Sequence, residues 1–272
     1  LLMFVFSGGE SSLGYEPGIW AHTWCFDHNV NAFNAPLLDG VILAQCGEAN
    51  YVRFGERHGN HDATVGVMAH EVAHAVHNLP DLYDPTANSA GIGYFGLMGH
   101  GAWSKTTRDD YSGATPTHLS AYAKNLLGWG TVVEFLQNEE DEEIQNYLFN
   151  DTSTALYNMV KISIEGENEY YLLENRSING YDSGLESLLG QHKGGLALWK
   201  IDEEQEDNSK VNHKRVDLVE ANGVNLDNGN HLGHTNNLFY NPHKKEYEDE
   251  TTNLTITNIS KRAEIMSANI SK

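Results

Sequence analysis

His70-Glu71-Val72-Ala73-His74 sets two imidazoles four positions apart, with a carboxylate beside the first. On a helix this spacing places both rings on one face, one turn apart, and the HExxH pattern is how a helix offers zinc two nitrogen ligands and a neighbouring base. A hydrolytic zinc takes three protein ligands and leaves a fourth position to water. No other side chain on that helix face points at the same spot, so the third ligand must come from beyond the helix. Asp81, in Asp81-Leu82-Tyr83-Asp84, is the candidate. Asn78 suits the left-handed residue that ends a helix, and Pro80 cannot continue one, so the chain turns back under the metal. A glutamate on a later helix is the alternative, but the next expected helix, 116–127, contains no Glu or Asp. Glu71 would take a proton from the water that the metal activates and pass it to a leaving amine. That chemistry is amide hydrolysis. The motif lies in an apolar helix, where two histidines and a glutamate carry a desolvation cost unless something pairs them, and a metal is the simplest partner.

The elements that position these residues can be read from pattern. The motif helix is expected from Thr64 to His77, apolar on most sides and buried. Before it, 3–7 and 41–45 read as short buried strands and 19–26 as another, forming a small sheet. A second helix is expected over 116–127, with Pro in its first turn and Gly128 beyond its end. The acidic run 134–143 reads as a solvated connection. After it the pattern turns to strands, at 160–164, 169–173, 196–201, 215–219 and 254–259. The expected fold class is α+β: a catalytic core with a small sheet and the motif helix over 1–130, then a mostly β region over 131–272 packed on it or continuing it.

Composition narrows the partners. The 272 residues are 40% hydrophobic, enough for a real core, and 38 acidic against 17 basic side chains give a net charge of −21. Such a surface repels phosphate backbones and anionic lipid, so nucleic acid is excluded as a partner. The longest apolar run, Leu1 to Phe6, is far short of a membrane span. Upstream sequence, including any signal peptide, is expected to be missing from this chain. Cys25 and Cys46 are either one disulfide or two buried thiols.

The segments around the motif carry a resemblance to a known family. HEVAHAVHNLPDLYD and GYFGLMGHGAW resemble the immune inhibitor A family of secreted bacterial metalloproteases, which stand among or beside the metzincins. VFSGGESS and IWAHTW upstream, and HLSAYAKNLLGW, YYLLENRSINGYD, GGLALWKIDEE and VDLVEANG downstream, resemble further segments of that family in the same order. The resemblance implies that the core over 1–130 is a metzincin-like zincin with a twisted sheet. It implies a zinc endopeptidase, secreted as a zymogen and acting as a monomer on protein and peptide substrates, with its own propeptide as an inhibitor. It implies zinc ligands at His70, His74 and Asp81, the base at Glu71, and Met98 as the methionine of the turn that floors the metal without binding it. Two positions depart from the pattern. Asn78 stands where many relatives carry Gly, and His100 stands where many carry a small residue. His100 is a candidate to hydrogen-bond the tetrahedral intermediate or approach the zinc; the plainer reading is a surface histidine in a glycine-rich turn. His77 reads as a partly exposed neighbour of the motif, and Arg176 as the partner of a carboxylate in the second region. Trp199, Tyr170 and Tyr171 read as core, while Asp84, Asp202, Glu203 and Glu204 are carboxylates suited to structural calcium. The alternative to an enzyme is a catalytically silent surface or adhesion module that retains the zincin fold; such a module has no need of Glu71.

Overall fold

The computed structural model describes every residue except 13, 15–17, 27–35, 48–49, 136–142, 165–167, 190–193, 224–225 and 235. The first part contains strands β1 (Leu2–Glu10), β2 (Gly18–Ile19), β3 (His22–Trp24), β4 (Leu37–Leu38), β5 (Val41–Ile42), β6 (Tyr51–His58) and β7 (His61–Asp62), followed by helix α1 (Val65–His77). One sheet has the order β2-β1-β6-β3, with β7 also paired to β6. β1 runs parallel to β6, whereas β3 runs antiparallel to it and brings Thr23 opposite Val52. α1 lies across this sheet: Val67 joins Ala21, Val52 and Phe54 in one apolar cluster, while Ala73 enters the main core. Asn78 ends the helix at φ 52°, its N–H bonded to the His74 carbonyl, as its residue type suggests.

The second part begins with α2 (Ala121–Leu126) and continues through β8 (Thr131–Phe135), β9 (Glu143–Asn150), β10 (Asn158–Ser163), β11 (Glu169–Arg176), α3 (Glu186–Leu189), β12 (Gly195–Asp202), β13 (Val216–Val219), β14 (Tyr247–Asp249), β15 (Leu254–Thr257) and β16 (Ile265–Ser271). Two sheets result, ordered β13-β12-β11-β10-β8 and β14-β15-β16-β9. The first of these is a middle layer. Leu172, Ala197, Trp199 and Ile201 point into a core shared with Leu79, Leu82, Phe95 and Met98 of the first part. Their alternating neighbours Tyr171, Leu173, Leu196 and Leu198 point the other way, against Phe149, Ile256, Met266 and Ile270. A strand buried on both faces reads as a continuous apolar run, which is why β11 and β12 are legible as YYLLEN and GLALWKI. The architecture is α+β, with many strands and few helices.

Several expected elements differ. The strand at 3–7 exists, but Leu1, Met3, Phe4, Val5 and Phe6 are exposed: among the described residues these side chains join none of the apolar clusters. The 41–45 strand shrinks to Val41–Ile42, exposed in a two-stranded hairpin with β4. The 19–26 strand is broken between β2 and β3, where the Ala21 N–H leaves the ladder to reach the buried Glu10 carboxylate at 3.0 Å. The helix expected over 116–127 starts only at Ala121: the Ser120 hydroxyl caps it, and Thr117 and His118 are held in extended bonds to Tyr94 and Asp182. Of the acidic run, Glu134 and Phe135 end β8 with Phe135 buried, Glu143 starts β9, and 136–142 lie outside the described residues.

α1 approaches its surroundings so closely at Gly66 that a Cβ there would sit 1.8 Å from the Ala102 carbonyl oxygen. Gly→Ala within a helix ordinarily stabilises by up to about 1 kcal/mol. Gly66→Ala is expected to do the reverse, by roughly 1–3 kcal/mol of overpacking, and thermal unfolding checks it; an unchanged or higher Tm would contradict the packing described.

Candidate metal centre

Three acceptor atoms face one another at the centre of the site. His70 Nε2, His74 Nε2 and Asp81 Oδ1 stand 3.0 Å apart on every side. The helical spacing of four supplies the first two, and the αL turn at Asn78 brings the third around. Each ring is fixed from behind. His70 Nδ1 donates to the Leu97 carbonyl at 2.9 Å, and His74 Nδ1 donates to the Leu79 carbonyl at 2.6 Å. A carbonyl oxygen only accepts, so both protons sit on Nδ1 and both Nε2 atoms turn bare lone pairs toward the Asp81 carboxylate. Three lone pairs at 3.0 Å repel unless a cation stands among them.

The donor set fits zinc. Two imidazoles and one carboxylate is a catalytic ligand combination, and tetrahedral bonds of about 2.0 Å require donor separations near 3.3 Å, close to those found. The electrostatics agree. Burial pushes the Asp81 carboxyl up, but in the metal-free protein a proton taken up between it and the His70 and His74 rings supplies hydrogen bonds and positive charge that outweigh burial and hold the group well below its ordinary value. Burial likewise lowers the His74 pKa, and Asp81 reverses this and raises it. In the absence of a metal the cluster attracts a proton, so protons and metal compete for the same lone pairs.

Glu71, on the same helix, lines the cleft beside His70 and is buried. The cleft has two lobes that meet at His70, Glu71 and Tyr83. One, of about 400 Å³, runs past His74, Asp81, Ala21 and the edge strand β3. The other, of about 210 Å³, lies between α1 and the segment Gly99–Trp103 and includes His100. His100 is thus placed on the wall of the second lobe, outside the three-donor cluster. Its pKa is lowered by burial and then by His70, which keeps the ring neutral. Met98 is buried in the main core, one residue after the Leu97 carbonyl that holds His70. His77 is exposed, with its ring edge against Trp129.

Two contributors escape sequence reading. Thr23, on β3, shares its one hydroxyl proton between two acceptors of Glu71, the backbone carbonyl at 2.7 Å and the carboxylate at 3.0 Å. Only the pairing of β3 with β6 brings it there, and no local pattern announces it. Tyr83 donates to the second Asp81 oxygen at 3.0 Å; its place two residues after Asp81 was the available signal. Burial, then the neighbouring Asp81, raises its pKa and keeps it a donor.

The remaining candidates are engaged elsewhere. Asp84 accepts from Thr86 and Ser89 and so organises its own loop. Asp202 accepts from Glu204, Gln205 and His213, Glu203 from Tyr170, and Glu204 from Asn168. Glu169, Asp202 and His213 also converge, but Lys200 already neutralises Glu169 at 2.9 Å. His22 accepts from Arg53 beside the cleft. Cys25 and Cys46 are joined in a disulfide, which resolves the pair left open by the sequence.

Two models of known families match the chain. The immune inhibitor A peptidase M6 catalytic-domain model matches residues 4–130, and the model of the VEG domain of immune inhibitor A-like metallopeptidases matches residues 164–228. No curated protein matches the chain. Taken with the fold, these matches make the chain a metallopeptidase, a hydrolase that acts on proteins. It belongs to the immune inhibitor A-like metallopeptidase family.

Proposed function

We propose that the chain is a secreted, zinc-dependent endopeptidase with a metzincin-like catalytic core. The observation that carries this reading is the triangle of His70 Nε2, His74 Nε2 and Asp81 Oδ1, each edge 3.0 Å, with both imidazole tautomers set by backbone carbonyls. These residues would hold the zinc, whose chemistry when bound is to acidify water and polarise a substrate carbonyl. Glu71 accepts the proton of the attacking water and returns it to the leaving amine. The Thr23 hydroxyl holds the Glu71 carboxylate toward the cleft. Tyr83 keeps Asp81 turned with one oxygen to the cluster and the other to its own hydroxyl. His100, neutral in the second lobe, donates to the oxyanion that develops on the substrate carbonyl. Met98 floors the site and donates nothing to it.

The lobes on both sides of His70 and Glu71 suit an extended chain cut internally, rather than one bound only by its end. They also offer a propeptide the same groove, which supports a zymogen. The Cys25–Cys46 bridge and the surplus of acidic residues suit an oxidising, extracellular setting. Among the described residues no helix is long and apolar enough to cross a membrane. A silent module would have no use for a buried glutamate presented to the cleft by its own threonine.

Glu71→Ala and wild type, measured side by side for metal content and casein cleavage, test the mechanism. Zinc near one equivalent is expected in both, with cleavage reduced in the variant by at least about 10²-fold; cleavage surviving in Glu71→Ala would sink it. For His100→Ala, kcat/KM should fall by about 10²-fold with zinc content unchanged, and unchanged kinetics would return His100 to the role of a wall residue.

A further inference from the structure

Behind the three donors lies a second set of bonds whose outer anchors, Arg176, Asp182 and Asn208, belong to the β-rich region. The His70 ring is oriented by the Leu97 carbonyl, and the Leu97 N–H donates in turn to the His118 carbonyl at 3.1 Å. The N–H of His118 donates to Asp182 Oδ1 at 3.0 Å. Asp182 pairs with Arg176 through two bonds of 2.6 Å, and Arg176 Nη1 donates to the Phe95 carbonyl at 2.7 Å, two residues before Leu97. One ion pair therefore grips both the segment that carries Leu97 and the segment of His118 bonded to it. Arg176 and Asp182 are each fully buried, and Glu174, itself buried, closes the network by accepting from Lys124, Tyr157 and Trp199.

Asp81 has a separate anchor. The Asn208 side-chain amide donates to the Leu82 carbonyl at 2.7 Å and accepts the Val216 N–H at 3.0 Å. Leu82 also donates to the Met98 carbonyl at 2.8 Å, so the residue following Asp81 is bound both to the loop under His70 and to the β-rich region. Asn208 is fully buried, and its sequence separation from Leu82 is 126 residues.

We propose that the β-rich region sets the geometry of the metal centre through two buried devices: the Arg176–Asp182 pair positions His70 by way of Leu97, and Asn208 positions Asp81 by way of Leu82. None of these three residues touches the metal or the substrate; they are positioning residues. The physical reason for such devices is the repulsion among bare lone pairs in the metal-free protein, which would let the rings and the carboxylate swing apart unless their backbone supports were tied down. Residues that orient ligands in this way typically govern metal affinity by about 10–100-fold. The inference rests on the zinc-site reading above.

The test compares zinc affinity in the full chain, by competition with a chromophoric chelator, for wild type, Asp182→Asn and Asn208→Asp. Asp182→Asn keeps the side chain's shape but unpairs Arg176; Asn208→Asp keeps the oxygen that accepts the Val216 N–H but loses the donor to the Leu82 and Val216 carbonyls. Leu254→Ala, in the core on the far face of the middle sheet, serves as a control destabilised without any link to the ligands. Near-UV circular dichroism establishes that each protein is folded under the conditions used. The zinc Kd is expected to rise about tenfold or more in both positioning variants and to stay within twofold of wild type in Leu254→Ala. If one positioning variant does not fold, the other decides. A Kd unchanged in the folded variants, or raised equally in Leu254→Ala, would overturn the inference while leaving the zinc site in place. A wild type that binds no zinc would overturn both.

Discussion

Holding three hydrogen-bond acceptors 3.0 Å apart is the constraint around which this molecule is arranged. Left to themselves, two imidazole lone pairs and a carboxylate separate or capture a proton. Here their approach is imposed by geometry outside the cluster: a helix pitch for His70 and His74, an αL residue for the return to Asp81, and carbonyls that keep the ring protons on the far side. The cost of assembling the cluster is therefore met by folding, and a cation that enters it finds its donors already aimed. Preorganised acceptors of this kind are what a catalytic metal site requires.

The middle sheet explains how folding supplies that frame. Its β11 and β12 are apolar on both faces, so the sheet seals the main core beneath Leu82, Phe95 and Met98 on one side and the outer sheet on the other. Burying charge at the first of these interfaces would be costly if the charges were unpaired. They are not: Glu174 accepts bonds from several donors, Arg176 spends its guanidinium on Asp182 and the Phe95 carbonyl, and Lys124 reaches Glu174 at 2.5 Å. Directional bonds of this kind fix register in a way that apolar contact alone does not. The segments matched by the catalytic-domain and VEG-domain families thus share one core, and the polar bonds cross it where the backbone behind His70 and Asp81 is supported.

What the sequence shows of this depends on distance along the chain. The pairing of His70 with His74 is a helical period, and Asn78 followed by Pro80 is a local turn signal; both are legible because the physics involved acts within a few residues. β11 and β12 are legible because burial on two faces leaves an uninterrupted apolar run. Leu1 to Phe6 looks the same in sequence yet lies exposed, because an apolar run reports composition and not what covers it. The helix expected over 116–127 was too long because Thr117 and His118 bond to Tyr94 and Asp182, partners that no window around them contains. Thr23, Asn208 and the Arg176–Asp182 pair reach the site or its supporting segment across 48, 126 and 81 residues, and these links become visible only once the sheets are assembled. Met98 is a middle case: its residue type suggested core filling, and only resemblance assigned it a place under the metal.

The central claim is that one zinc is held by these three side chains. Anomalous diffraction at the zinc edge from crystals of the zinc-loaded protein tests it directly. The account predicts a single strong peak within bonding distance of His70 Nε2, His74 Nε2 and Asp81, about 2.0–2.2 Å from each. A peak at Glu169, Asp202 and His213 instead, or one bound by the two histidines with Asp81 turned away, would contradict it.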